Sequence, residues 1–182
     1  MSDQTPHPVA GVLIDAFGRV KDVVHAAVRG LDERMLAFRP DPDANSVAWL
    51  VWHLTRVQDD HLADAFGREQ VWTSEGWAER FALPFDPGAT GYGHTSEQVA
   101  AVRSDAELLT GYHDASHART IELLEGLRED ELQRIVDRRW DPPVTLAVRL
   151  VSVTSDNLQH AGQAAFVRGI AERVLRGNGQ GG

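Results

Sequence analysis

The sequence predicts an all-α protein, a four-helix bundle of one domain over residues 1–182. Three observations predict it. Apolar residues recur at three- and four-residue steps through most of the chain, the mark of helices with one buried stripe. Capping residues and glycines punctuate those stripes where helices start and stop. The length suits a single core, and 42% apolar with 25% charged residues is ordinary for a globular domain.

In the first helix Val9, Leu13, Phe17, Val20, Val24 and Val28 form the stripe, which ends near Gly30; Pro40 and Pro42 then forbid helix. The second starts at Asn45 or Ser46, either able to cap it, and carries Trp49, Leu50, His53, Leu54, Val57, His61 and Ala65 up to Gly67. From 68 to 95 the period breaks down into a long aromatic-rich loop. There Trp72, Trp77, Phe81 and Phe85 alternate with Gly76, Pro84, Pro87, Gly88, Gly91 and Gly93. A connection so long is often functional, and its aromatic content predicts that it packs over one end of the bundle. Thr95, Ser96, Glu97 and Gln98 open a third helix with a capping box, and Val99, Val102, Ala106, Leu109, His113, Ser116, His117, Thr120, Leu124 and Leu127 continue it. A polar link with a β-like piece around 135–136 follows. Pro142 and Pro143 sit where a helix N-terminus tolerates proline. The fourth helix runs through Leu146, Leu150, Val153, Leu158, Ala161, Ala164, Ala165, Val167 and Ile170 to Leu175, and the glycine-rich tail 177–182 is expected to fray.

Charge and composition exclude several functions. The net charge is −9, with 18 Lys+Arg against 27 Asp+Glu, and the longest basic cluster is the pair Arg138 and Arg139. No concentrated basic face is available for nucleic acid or an anionic membrane. No apolar run approaches a membrane span, and the polar start lacks the regions of a signal peptide, so a cytoplasmic protein is expected. Cysteine is absent, which removes disulfides, thiolate metal sites and a cysteine nucleophile. A single lysine, Lys21, among many arginines points to a GC-rich genome.

Bundles build metal sites from polar side chains on their inward faces. His53 lies one turn from Leu50 and Val57, on the inner face of the second helix. Asp156 and His160 are four apart on the fourth helix and stack on one face with Val153 and Val167. Two imidazoles and one carboxylate suit a divalent Zn, Fe, Ni or Mn ion. On spacing alone these are also ordinary core or boundary residues. His113 and His117 are a second four-spaced pair and an alternative chelate. His61 is either a partner behind the site or a helix-end residue. Asp59 and Asp60 read as a solvated face, although Asp60 is placed to orient a ligand histidine. Trp49 and Trp52 read as core, Gly162 as a close-packing residue, Gln163 as a partner for a ligand or a carbonyl, and Arg149 and Arg168 as candidates for an acidic cosubstrate or as exposed arginines.

Residues 45–54 (NSVAWLVWHL) resemble the second-helix segment of the DinB/YfiT-like superfamily, in which a metal-ligating histidine ends a short polar–apolar lead. Residues 156–163 (DNLQHAGQ) resemble its fourth-helix motif, a ligand pair four apart before a small residue and Gly-Gln. The resemblance implies a four-helix bundle, often a homodimer, with a divalent metal on three protein ligands. It implies His53, Asp156 and His160 as those ligands, with His61, Gln163, Asp60 and Trp49 around them. Members include thiol S-transferases that use bacillithiol or mycothiol, with mycothiol expected in an actinobacterial host, and a related branch isomerises maleylpyruvate. Asp156 departs from the usual histidine. The expected function is metal-dependent transfer of a mycothiol-like thiol to a small-molecule electrophile, whose pocket the aromatic loop from Trp72 to Phe85 is expected to shape. The alternatives are a metal-dependent hydrolase and a non-catalytic, small-molecule-binding dimer with a degenerate site.

Overall fold

The computed structural model describes residues 8–177, so the rest of the predicted frayed tail, 178–182, lies outside the described residues. Helix α1 (Pro8–Val28) buries Leu13, Phe17, Val20, Val24 and Val28 as the stripe predicts; Ala10 takes the place expected of Val9, which is partly exposed. A one-turn helix that the sequence did not announce, α2 (Glu33–Leu36), is capped by the Asp32 carboxylate, which accepts from Met35 N at 2.8 Å. Helix α3 (Val47–Phe66) starts at Ser46, whose hydroxyl accepts from Trp49 N, and stops at Gly67 in the left-handed region.

The expected long loop holds two short helices, α4 (Val71–Ser74) and α5 (Trp77–Phe81). The single helix expected from 95 to 127 is two. The capping box opens α6 (Ser96–Ala101), Val102 turns extended, and Asp105 caps a fresh helix, α7 (Ala106–Glu125), by accepting from Leu108 N. A second N-cap inside an unbroken apolar period decides this boundary, because the carboxylate satisfies the new helix's free amides. The β-like piece is strand β1 (Ile135–Asp137), paired antiparallel with β2 (Val144–Thr145). Pro142 and Pro143 therefore belong to a hairpin turn, and α8 (Leu146–Gly177) begins after it.

The four long helices α1, α3, α7 and α8 form an all-α bundle in which α8 packs between α1 and α3, and α7 packs between the same two on the other side. Side-chain pairings give the directions. His25 meets Asp114 while Phe17 shares a cluster with Leu124, so α1 and α7 run antiparallel. Trp52 and Leu54 share a cluster with Leu109 and Tyr112, while Leu62 and Ala65 share the other with Leu124 and Leu127, so α3 and α7 run parallel. Parallel neighbours cannot be joined by a short turn. The chain after α3 must return the length of the helix, roughly 30 Å for twenty residues. The long loop is that return.

On its way back the crossover is fastened to α3 at successive turns. Asp59, expected on a solvated face, is buried and accepts from Val71 N, Trp72 N and the Tyr112 hydroxyl. Arg56, wholly buried, donates to Ala89 O, Gln70 Oε1 and the Tyr112 oxygen and lies over the Trp72 ring. Trp72, Trp77 and Phe81 pack around Tyr112. The loop is packed down, but along the α3–α7 face rather than over one end of the bundle as expected, because its partners lie along the length of those two helices.

Two apolar clusters are separated by a polar layer. Asn157 occupies the core position expected of Leu158, which is 47% exposed. It donates to Gln58 Oε1, and Gln58 donates to the Thr120 hydroxyl, so the layer ties α8, α3 and α7 in one register. Gly162 lies exposed with nothing where a Cβ would point, so it mediates no helix packing. Arg168 donates to the carbonyls of Ala26 and Arg29 and caps the end of α1 rather than facing a ligand. No helix among the described residues is long and apolar enough to cross a membrane.

His113 lies fully buried on α7, with neither ring nitrogen hydrogen-bonded, and its ring stacks 6.3 Å from His117. Burial, with the His117 charge beside it, lowers its pKa to about 3. Its value in the unfolded chain is the ordinary one, so below about pH 6.5 the unfolded state takes up a proton that the folded state refuses. Folding stability falls as pH drops from about 6.5 toward 3. In His113→Leu the slope of unfolding free energy against pH in that window is expected to be shallower by about 1.4 kcal/mol per unit, one proton's worth. Urea titrations across the window measure it, and an unchanged slope would remove His113 as the cause.

Candidate metal centre

The structure brings His53, Asp156 and His160 together: one ligand atom from each lies within 4.8 Å of the other two. His61 meets Arg149, Gln58 meets Asn157 and His53 meets His160, so α3 and α8 run antiparallel, and this register brings the trio together. The imidazoles are held from behind. His53 Nδ1 contacts Thr90 O at 2.5 Å, and Gln163 Oε1 lies 2.8 Å from His160 Nδ1. With both carbonyl-type oxygens on Nδ1, each ring carries its proton there and turns Nε2 toward the gap. Trp49 stacks on His53 at 4.5 Å and presents itself edge-on to His160, so neither ring swings freely.

The donor set fits a divalent ion. Asp156 Oδ1 lies 3.5 Å from His160 Nε2, while its other oxygen, Oδ2, is buried with no hydrogen-bond partner. An orphaned carboxylate oxygen costs on the order of 1–3 kcal/mol unless something supplies the missing partner. An ion with bonds near 2.1 Å would draw the three ligand atoms to about 3–3.5 Å apart, within reach of small side-chain movements. The titration behaviour agrees. Burial lowers the His53 pKa and keeps that ring neutral. The hydrogen bond to Asp156 raises the pKa of His160, and burial of Asp156 is outweighed by its histidine neighbours, which hold it ionised. A metal binding here would displace the shared proton.

The trio opens on a cavity of about 590 Å³, with His53 and Asp156 in its wall. His61 lines the same cavity, with Nδ1 3.2 Å from Arg149 Nη1. Asp60 stands beside His61 at 3.6 Å, accepts from Gln70, and contacts no member of the trio. A more open hollow of about 640 Å³ adjoins it behind His61, lined by Asp60, Asp64 and Arg68 among others. The second histidine pair does not compete: His113 and His117 belong to no group of three ligands among the described residues.

Trp72, Trp77, Phe81 and Phe85, expected to shape the pocket, do not line it; the first three are core, and Phe85 faces a separate small void with Trp72. Thr90 and Tyr92 reach the cavity instead, with Asp137, Arg139 and Trp140 of the hairpin. Sequence reasoning missed these residues. The one available signal was the spacing of glycines at 88, 91 and 93, because Gly91 has φ +97 and a Cβ there would sit 2.7 Å from His53 Nδ1 and 3.0 Å from the Trp52 ring.

A family model described as mycothiol-S-transferase matches residues 12–172. Among solved structures, a conserved protein of a locus from Enterococcus faecalis is 31% identical, with a TM-score of 0.85, covering 94% of this chain and 99% of its own. No curated protein matches.

Gly91→Ala is expected to push the Thr90 carbonyl off His53. Affinity for Zn²⁺ should fall roughly 10- to 100-fold, the usual effect of losing the group that orients a ligand imidazole. Calorimetric titration of the purified variant measures it; wild-type affinity would show that the loop does not set the ring.

Proposed function

This chain belongs to the mycothiol S-transferase family, and from that premise we propose that it joins a low-molecular-weight, mycothiol-like thiol to a small electrophile at a divalent metal held by His53, Asp156 and His160. The carrying observation is the convergence of those three ligands on an open cavity, the orphaned Asp156 oxygen included. Three protein ligands beside open space are the arrangement of catalytic rather than structural sites. When bound, the ion supplies one thing: it lowers the pKa of a thiol until it is deprotonated and nucleophilic. The rest falls to the chain. Thr90 and Gln163 fix the imidazole tautomers, Trp49 fixes their planes, and the walls of the cavity admit the electrophile beside the thiol. The chain's lack of cysteine agrees with a thiol brought in as cosubstrate.

Zn²⁺ or Ni²⁺ is expected to bind stoichiometrically and raise the melting temperature, with Asp156→Asn losing most of that rise. Metal-loaded protein should conjugate mycothiol to a bimane above the uncatalysed rate. Protein that binds no divalent ion would overturn the proposal. Metal binding without conjugation, but with ester or amide cleavage, would replace the thiol with water as nucleophile.

The homodimer that the family resemblance implies is also proposed. Val151, Leu158 and Phe166 recur at seven- and eight-residue steps along the outer face of α8, and all three are exposed. Light scattering should give twice the chain mass, and Phe166→Glu half of that; a monomeric wild type would exclude the dimer.

A further inference from the structure

Tyr92 and Trp140 are strongly exposed aromatic residues, at 94% and 66%, and they come from elements with nothing else in common: the crossover and the β1–β2 hairpin. Both line the cavity that holds His53 and Asp156. Between them the wall is cationic by construction. Asp137, buried, takes the Nε and Nη2 groups of Arg139 at 3.0 and 2.8 Å and the Nη2 group of Arg149 at 3.0 Å. Two guanidiniums share one carboxylate, so one positive charge is left over in a chain of net charge −9. These neighbours hold the Asp137 pKa far below the usual carboxylate range, the Arg139 hydrogen bond first, so the pairing persists at any working pH.

The two arginines differ in what they have to offer. Arg149 is 10% exposed and spends Nη1 on His61. Arg139 is 80% exposed, and its hydrogen bonds use Nε and Nη2, which leaves Nη1 turned to solvent at the cavity rim. Asp64 and Asp60 act on Arg139 through space, but both line the adjoining hollow, where Arg68 and Arg138 stand with them. Asp156 belongs to the trio, and Asp60 faces the adjoining hollow with Gln70 bound to it.

We infer that the electrophile is an organic anion: a small planar molecule bearing a carboxylate, its body held between Tyr92 and Trp140 and its carboxylate on Arg139. The inference rests on the thiol-transferase reading for what happens to that molecule. A guanidinium held in place by a buried carboxylate favours an anion through charge-assisted bonds. Exposed aromatic rings gain most by covering a flat ligand. About 590 Å³ is a volume for such a ligand together with part of the thiol. In the reaction, the thiolate sulfur forms a bond to the electrophilic carbon, and the leaving group departs with the electron pair of the broken bond. The thiol's proton passes to solvent.

Binding tests it without catalysis. Purified full chain, with and without Zn²⁺, is titrated calorimetrically with 3,5-dinitrobenzoate and with 3,5-dinitrobenzamide, neither of which carries a leaving group. Wild type should bind the acid roughly tenfold more tightly than the amide. Arg139→Gln should bring the two within about twofold, and Trp140→Ala should weaken both alike, roughly three- to tenfold. Both side chains are exposed, and unchanged melting curves would exclude a folding effect. Equal affinity for acid and amide, survival of the preference in Arg139→Gln, or no binding of either would each overturn the inference. Turnover of mycothiol with 4-chloro-3,5-dinitrobenzoate against its amide, each relative to its uncatalysed rate, should show the same preference. A binding preference with no turnover supports the anion site and sinks the transferase reading instead.

Discussion

The buried pair of Arg56 and Asp59 on α3 governs the rest of the structure. Because α3 and α7 run parallel, the chain must travel back along the bundle. Irregular chain over a helix leaves amides and carbonyls in need of partners. Asp59 takes the amides that start the α4 turn, and Arg56 takes the carbonyl of Ala89 near the end of the return. Neither charge is tolerable alone at that depth: burial pushes the Asp59 pKa up, and the two amides, the Tyr112 hydroxyl and the Arg56 charge pull against it. A buried pair of this kind adds little net stability compared with apolar replacements, but losing one member strands the other. Its contribution is to fix where the crossover lies.

That placement reaches the chemistry within one turn of α3. Arg56 holds Ala89; the next residue, Thr90, presents its carbonyl to His53; and Gly91 then passes so close to Trp49, Trp52 and His53 that no side chain fits. The orientation of one metal-ligand candidate is therefore set by backbone far away in sequence, fastened by a charge pair that touches no ligand. A loop so secured also explains a site open on one side only. The crossover covers one flank of the trio, while the other opens to the hairpin.

The parts of this that were legible in the sequence share a cause: they repeat locally. The α3 cap at Ser46, the stop at Gly67, the capping box at Thr95 and the stripes of the four long helices all follow from residues a few positions apart. So does the Asp156–His160 stacking, and the flanking motif supplied His53 as its partner. What was not legible depends on long-range contacts. Asp59 reads as a surface acid because its partners, the amides of Val71 and Trp72, leave no side-chain signature. Asn157 replaces Leu158 in the core only because Gln58 waits opposite. The break before α7 hides because the apolar period continues through it. The loop aromatics were misassigned to the pocket because composition says that a segment packs down without saying on what.

The one departure from the usual ligand set acquires a physical meaning in this setting. An imidazole at position 156 would be neutral and would leave His160 without a charged neighbour. The carboxylate raises the pKa of His160, is itself kept ionised by the histidines around it, and leaves one oxygen unpartnered. Aspartate lowers the net charge of an ion at the trio by one and favours harder metals than three imidazoles would. It also puts a negative charge at the cavity floor, opposite the cationic wall around Asp137. The cavity is thus polarised along its length, and an anionic ligand is oriented with its charge toward the hairpin and its reactive carbon toward the trio. Asp156 and Arg139, though in no direct contact, belong to one electrostatic arrangement.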